Sequence, residues 1–171
     1  MDTIYQNCVK MLQARKYKDI ETVDGEITAV DNLNRKVMIL FLIGEKLNIN
    51  AVKENIKKFA SNDVKLGILV YTDEPTSSAK KTIANLESSG KLRITTFPVS
   101  NFRYCLTDHR LVLPHKKVKK ELALKLKAKY GADKLPIILH SDPIVRYYNF
   151  RAGDILAINR ADNTISYRIV R

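Results

Sequence analysis

The chain has 171 residues, 45% of them hydrophobic, and a formal net charge of +12. Length and composition predict one large globular domain or two small ones, and exclude a repeat array or a low-complexity tail. Residues 1–100 carry 15 Lys/Arg against 12 Asp/Glu, whereas residues 101–171 carry 15 against 6. This basic excess indicates nucleic acid, an anionic membrane or an acidic protein partner, with nucleic acid or a nucleoprotein assembly first among them.

Apolar spacing predicts an amphipathic helix over residues 3–17, followed by a polar segment to residue 35. The continuous apolar run at residues 37–43 is typical of a strand buried on both faces, and it is far too short to span a membrane. The next predicted elements are a helix over residues 49–59 and a strand over 64–71. They are followed by a helix that Thr76-Ser77-Ser78 opens and Ser88-Ser89-Gly90 closes, and by a strand over 92–97. The resulting βαβαβ order predicts an α/β domain with parallel pairing.

The pattern changes near Pro98, where we place a boundary between domains at residues 1–100 and 101–171. Short strands are predicted at residues 102–106 and 111–113, followed by a lysine-rich helix over 116–130. Its predicted apolar stripe consists of Val118, Leu122, Leu126 and Tyr130. Strands over residues 154–158 and 164–170 are joined by Ala161-Asp162-Asn163, which favours a tight hairpin.

Residues 135–158 contain a strand, a helix, a glycine turn and a second strand, with no length left for a solvated loop. Asp142 is predicted to cap the helix and Pro143 to occupy its first position. The helix is expected to run to about Phe150, with Gly153 available for a positive φ. This density indicates a docking surface rather than a catalytic cleft.

Three sets of residues are candidates for chemistry or nucleic-acid binding. Neither His109 and His115 nor His140 has the spacing of a metal site, and Cys8 and Cys105 show neither ligand spacing nor support for a disulfide. Asp63-Val64-Lys65, with Glu54 and Glu45-Lys46, only faintly resembles a nuclease cluster. The lysines of residues 116–134 could contact phosphate, but a solvated helix face is favoured because no aromatic pattern accompanies them. We predict no catalytic residue, metal, cofactor or small-molecule ligand.

Several motifs nevertheless identify a family. They are Asp108-His109-Arg110-Leu111-Val112, Leu135-Pro136, Ser141-Asp142-Pro143-Ile144-Val145-Arg146-Tyr147-Tyr148, Gly153 before a strand, and Ile165-Ser166-Tyr167-Arg168-Ile169-Val170. This C-terminal third resembles the assembly domain of the fifth subunit shared by eukaryotic nuclear RNA polymerases, which has an archaeal counterpart without a jaw domain. Residues 55–86 resemble the eukaryotic-type jaw domain, with Thr76-Ser77-Ser78-Ala79-Lys80 at the position of its Thr-Pro-Ser-Ala-Lys loop.

The resemblance implies a three-layer α/β jaw domain of restriction-endonuclease-like topology, followed by a small α+β assembly domain with a mixed sheet. It implies a non-catalytic subunit that docks on the largest polymerase subunit and contacts other subunits, with the jaw near downstream duplex DNA. The DNA-proximal candidates are Thr76, Ser77, Ser78, Ala79 and Lys80. The docking candidates are His109, Asp142, Pro143, Arg146, Tyr147, Tyr148, Gly153, Tyr167 and Arg168. The expected location is the nucleus, or the host cytoplasm or virion for a viral protein, without a membrane association.

Three features depart from the family pattern. Ser77 replaces the loop proline, Leu113 precedes Pro114 where the family has proline directly after Leu-Val, and the connection at residues 160–164 is shortened. The segment between the first helix and Val37 is also short, as expected in a compacted genome of a reduced eukaryote or a large DNA virus. The alternative that remains is a stand-alone nucleic-acid-binding or nuclease-like α/β protein.

Overall fold

A computed structural model describes residues 2–89, 92–131 and 133–171. The chain divides into two compact units, Met1–Tyr104 and Cys105–Arg171, each of which is described by itself. The predicted boundary at residue 100 lies inside the first unit, because the 3-10 helix Val99–Phe102 is fixed there: the side-chain amide of Asn7 donates to the carbonyl oxygen of Phe102 at 2.9 Å. Across the described residues, no helix has both the length and the apolar character needed to cross a bilayer.

The first unit is built around a five-stranded mixed sheet. Its elements are α1 (Asp2–Ala14), β1 (Lys18–Val23), β2 (Glu26–Val30), β3 (Lys36–Lys46), α2 (Ile49–Ser61), β4 (Val64–Asp73), α3 (Ser77–Ser89) and β5 (Arg93–Pro98). The strand order is β1-β2-β3-β4-β5, in which the first two pairings are antiparallel and the last two are parallel. The predicted α/β domain with a parallel βαβαβ core, from β3 to β5, is therefore confirmed.

Helices cover both faces of this sheet because the buried strands carry apolar side chains on both sides. Leu40 of β3 belongs to a core cluster with Phe59 of α2 and Ile83 of α3. Phe41, the next residue of β3, faces the other way, and its ring centroid lies 4.4 Å from that of Tyr5 in α1. The first unit thus has the predicted three layers, with β3 and β4 in the centre.

Residues 18–35, for which the sequence indicated only a polar segment, form the β1–β2 hairpin. Asp24 and Gly25 turn the chain with φ values of 49° and 76°. The sequence did not reveal β1 because this strand is exposed along almost its whole length and shows no apolar alternation. The first helix ends at Ala14 rather than residue 17, and Gly90 of the predicted closure of α3 lies outside the described residues.

The second unit contains the predicted mixed sheet with helices packed against it. Its elements are a 3-10 helix (Leu106–Asp108), β6 (His115–Lys117), α4 (Lys120–Tyr130), β7 (Ile137–Ile138), α5 (Pro143–Tyr148), β8 (Ile155–Asn159) and β9 (Ile165–Val170). The strand order is β6-β8-β9-β7, and only the β7–β9 pairing is parallel. The predicted α+β class and the hairpin of the last two strands are confirmed.

Several boundaries in the second unit were predicted wrongly. The supposed strands at residues 102–106 and 111–113 do not form: the first of these segments runs from the end of one 3-10 helix to the start of the next, and the second is a loop. The lysine-rich helix begins at Lys120 because residues 115–117 pair with β8. Its four-residue stripe is also wrong, since Leu122 and Tyr130 are 44% and 47% exposed, while Ala123 packs beside Leu126.

Gly67 in β4 provides a test of the first core. A Cβ atom at this position would lie 2.7 Å from Cδ2 of Phe59, whose side chain is fully buried. We expect Gly67→Ala to lower the free energy of unfolding by about 1–3 kcal/mol through overpacking. Urea unfolding of Gly67→Ala, Phe59→Leu and the double variant measures this coupling, which the smaller leucine should relieve. An equal cost of Gly67→Ala in both backgrounds would contradict the contact.

Candidate functional site

The predicted docking segment is built around α5, which is two turns long. Asp142 caps it, because its Oδ1 accepts from the backbone N–H of Ile144 at 2.8 Å, and Pro143 follows at the first helical position. The helix ends earlier than predicted, at Tyr148, because Asn149 takes the left-handed conformation with φ 57°. The positive φ of Gly153, 84°, belongs instead to the turn that leads into β8.

Both ends of the segment are bound to β9 by main-chain hydrogen bonds. On one side, the N–H of Ile169 donates to the carbonyl of Pro136 at 2.8 Å and that of Arg171 to Ile138 at 3.0 Å. On the other side, the N–H of Gly153 donates to the carbonyl oxygen of Val170, and the N–H of Val170 donates to the main-chain carbonyl oxygen of Asp154, both at 2.9 Å. Such a short helix needs packing to persist. The hydrogen bonds at both ends of the segment hold the helix against the sheet.

The two faces of the second sheet have different cores. Ile144 and Val145 of α5 pack with Leu156 and Val170 on one face. On the other face, Leu126 of α4 belongs to a cluster whose further buried members are Val118, Leu135, Ile155 and Ile169. The alternation along β8 and β9 separates these clusters, so each residue of the two strands contributes to one face only.

This alternation distributes the predicted docking residues over different environments. Asp142, Pro143 and Arg168 come together around a groove on the α5 face. Tyr147 is only 6% exposed, and its burial raises the pKa of its phenol well above the ordinary range. Tyr167 lies on the opposite face, beside the cluster that packs against α4. Of these five residues, three are therefore grouped where a partner could reach them.

The remaining docking candidates lie at the edges of this arrangement. His109 is exposed, and its Nδ1 accepts from the N–H of Leu111 at 3.2 Å. Tyr148 is partly buried, with its ring stacked on that of Phe150 at a centroid distance of 5.3 Å. Arg146 is partly exposed on α5, whereas Gly153 has a backbone role in the turn before β8. His109 and Arg146 are thus the side chains of this set that offer polar groups at the surface.

The groove also includes residues that we did not predict as docking candidates. Leu111, Ile158 and Arg160 line it together with Asp142 and Arg168. Arg160 lies in the connection at residues 160–164, for which the sequence indicated only that it is shortened. The alternation of β8 and β9 could have placed Ile158 and Arg168 on one face, but the approach of the Leu111 loop is a tertiary contact without a local pattern.

The predicted DNA-proximal loop forms the N-terminus of α3. Thr76 caps the helix through its Oγ1, which accepts from the N–H of Ala79 at 3.3 Å, and its own N–H donates to the carbonyl of Leu47 at 3.1 Å. Ser77, Ser78 and Lys80 are exposed, whereas the Ala79 side chain is fully buried. Lys80 Nζ lies 3.0 Å from Glu74 Oε2 in an exposed ion pair. Ser77, Ser78 and Lys80 therefore lie at the surface, and Ser78 Oγ is also within hydrogen-bond distance of Thr76 Oγ1, at 3.1 Å.

The other candidate sites show ordinary structural interactions. Among the described residues, no three His, Cys, Asp or Glu side chains lie close enough together to hold a metal ion. Asp63 is exposed and pairs with Lys65 at 2.7 Å, and this hydrogen bond lowers the pKa of the Asp63 carboxyl. Both cysteines are free, and burial raises the pKa of the Cys8 thiol to about 12.

The lysine-rich helix uses part of its charge within its own unit. Lys127 Nζ donates to the carbonyl of Gly153 at 3.2 Å, and Lys129 lies over the Tyr130 ring at 5.1 Å from its centroid. Lys117, in β6, pairs with Asp154 at 2.7 Å. The interpretation of α4 as a solvated face stays a prediction.

Comparison with known proteins identifies the type of domain that the second unit forms. Residues 104–170 match the family model described as RNA polymerase Rpb5, C-terminal domain. A DNA-directed RNA polymerases I, II and III subunit of Dictyostelium discoideum is 26% identical over 145 residues, which cover 81% of this chain and 74% of that protein. The corresponding subunit of Caenorhabditis briggsae is 27% identical over 141 residues, or 79% of this chain and 66% of that protein.

A viral relative matches over nearly the whole length. The putative DNA-directed RNA polymerase subunit 454R of Invertebrate iridescent virus 6 is 25% identical over an alignment of 183 positions. The alignment covers 98% of this chain and 97% of that protein. Residues 104–170 thus form an Rpb5-type C-terminal domain. The chain is similar to subunits of eukaryotic RNA polymerases over about four fifths of its length, and the resemblance inferred from its motifs is confirmed.

The cap of α5 is directly testable. We expect Asp142→Ala to lower the free energy of unfolding by about 1 kcal/mol, because the N–H of Ile144 loses its acceptor. Asp142→Asn keeps a side-chain oxygen and should retain most of that stability. Urea unfolding followed by circular dichroism measures both variants. Equal losses in the two would show that the carboxylate charge, rather than the cap, stabilises the helix.

Proposed function

We propose that the chain is a non-catalytic subunit of a multisubunit DNA-directed RNA polymerase. The observation that carries the proposal is the Rpb5-type C-terminal domain at residues 104–170, in a chain that matches a putative viral polymerase subunit over nearly its full length. Pro143 is exposed and Arg146 partly exposed on α5, so both side chains are accessible to a partner. A polymerase subunit of this kind contributes surfaces to an assembly whose active centre lies on other chains.

The second unit is proposed to dock on the largest polymerase subunit. Its support is the rigidity of α5, which is capped by Asp142 and held between β7 and β8 through their shared pairing with β9. A pre-organised surface loses little conformational entropy on binding. Pro143, Arg146 and Arg168 offer a combination of apolar and cationic groups at this surface.

The first unit is proposed to lie near downstream duplex DNA through the loop at residues 76–80. The exposed hydroxyls of Ser77 and Ser78 precede the exposed ammonium group of Lys80 at a helix N-terminus, an arrangement that suits a phosphate. Glu74 now pairs with Lys80, so a phosphate would have to compete with its carboxylate. In a cellular polymerase this contact would occur in the nucleus, and in a viral one in the host cytoplasm or the virion.

Purification of the tagged chain from its source tests assembly. We expect polymerase subunits to co-purify in equal amounts, and Asp142→Ala/Arg146→Ala to reduce their recovery, whereas the conservative Asp142→Asn/Arg146→Lys pair should retain most of it. Quantitative mass spectrometry of the eluate measures the ratio. A wild-type chain that elutes as a lone monomer and cleaves DNA with magnesium would refute the polymerase assignment.

The DNA contact is tested in the assembled polymerase. We expect Lys80→Ala to weaken the retention of downstream duplex DNA and to reduce the slope of log affinity against log salt by about 1, because one phosphate contact is lost. Lys65→Ala is the matched control, since Lys65 is also exposed and ion-paired. Lys65 lies at the start of β4, whereas the loop at residues 76–80 follows the end of that strand. Identical salt slopes for the two variants would contradict a contact at Lys80.

A further inference from the structure

A groove remains open on the α5 face of the second sheet. The helix has only six residues, so the sheet extends past it and leaves Ile158 and Arg168 beside the helix start. The loop that contains Leu111 forms the other wall. The groove is open to solvent and has a volume of about 360 Å³, which is sufficient for one or two large side chains of a partner.

The wall at Leu111 is a fixed element. His109 accepts from the N–H of Leu111 through Nδ1 at 3.2 Å, and its carbonyl accepts from the N–H of Val112 at 2.9 Å. Val112 packs against the core cluster of α5, whereas Leu111 is 74% exposed. A leucine held in water by a hydrogen-bonded turn costs hydrophobic free energy, which a partner could recover by covering it.

The charged groups of the groove are predominantly cationic. Arg168 donates to the carbonyl of Ile137 at 3.5 Å, and Arg160 Nε donates to Ser166 at 3.2 Å. Each guanidinium has five N–H donors, so donors remain available on both. Within the described parts of the chain, neither forms a salt bridge with a carboxylate. Asp142, also in the lining, caps α5 through Oδ1 and is the one carboxylate among the lining residues, against the two guanidinium groups.

We propose that this groove binds an acidic, apolar segment of another polymerase subunit. An apolar side chain of the partner lies between Leu111 and Ile158, and flanking carboxylates pair with Arg168 and Arg160. Guanidinium groups suit carboxylates because they can donate two parallel hydrogen bonds. The inference rests on the proposed function, since it names the chemistry of a partner within the same assembly.

Nucleic acid is the less suitable occupant of this groove. The lining includes Leu106, Leu113, Ile138, Ile144 and Ile158, and a phosphate placed against such apolar side chains would lose water without replacement. Nucleic-acid grooves also commonly present Phe, Tyr or Trp rings for stacking, and none of these lines this groove in the described structure. The one aromatic ring in its lining is the imidazole of His115, whose Nδ1 lies 2.7 Å from the carbonyl oxygen of Leu113. The combination of apolar floor and cationic rim therefore favours a peptide segment.

Charge reversal tests the proposal in the tagged, full-length chain. We expect Leu111→Ser/Arg160→Glu/Arg168→Glu to reduce co-purification of polymerase subunits at least about tenfold, since hot-spot apolar contacts and ion pairs are lost together. The control is Leu124→Ser/Lys120→Glu/Lys125→Glu on α4, which changes one exposed leucine and two exposed cations on the other face of the sheet. It should co-purify within about twofold of the wild type. Thermal unfolding of both variants verifies that each is folded.

The outcomes separate this inference from the proposed function. Failure of the wild-type chain to co-purify would refute the proposed function itself. Normal co-purification of the wild type together with normal recovery of the folded groove variant would overturn the groove proposal alone. If the groove variant does not fold, a photoreactive benzoylphenylalanine at position 111 in the otherwise unchanged chain decides the question. A cross-link to an acidic, apolar segment of a polymerase subunit supports the proposal, and a cross-link to nucleic acid or to a segment without carboxylates overturns it.

Discussion

The second unit depends on the main-chain pairing of β9. This strand binds β8 on one side in antiparallel fashion and β7 on the other in parallel fashion, so the segment that carries α5 is closed at both ends by one strand. The two-turn helix could not persist alone in water, and its cap at Asp142 contributes only about 1 kcal/mol. Burial of Ile144 and Val145 against β8 and β9 provides the rest of its stability. The position of α5, on which the proposed docking surface depends, is therefore a consequence of strand pairing.

The first unit reaches comparable rigidity by burial on both faces of a sheet. β3 and β4 each bury consecutive apolar residues, which requires α1 on one face and α2 with α3 on the other. The close approach of Phe59 to Gly67 shows how little space the helix layer leaves. The N-terminus of α3 is anchored to this core by Ala79 and by the hydrogen bond between Thr76 and Leu47. The exposed hydroxyls and Lys80 therefore lie on a helix N-terminus that is anchored to the core.

The elements predicted correctly from the sequence are those with a local pattern. The apolar runs of β3 and β4, the cap at Asp142 and the final hairpin all have one. β1 was missed because an exposed strand owes its structure to the hydrogen bonds of its neighbour, and the start of α4 was misplaced because β8 recruits residues 115–117 into the sheet. Burial of Tyr147 and assembly of the groove from Leu111, Arg160 and Arg168 depend on contacts between distant segments. No periodicity in the sequence encodes such contacts.

The central claim is that the second unit joins a polymerase through the face that bears α5 and the groove. An electron cryomicroscopy reconstruction of the polymerase purified through the tagged chain tests it most directly. The account predicts density for residues 105–171 against the largest subunit, with α5 and the groove covered and the outer face of α4 exposed to solvent. A reconstruction in which the chain binds through α4, with the α5 face open to solvent, would contradict it.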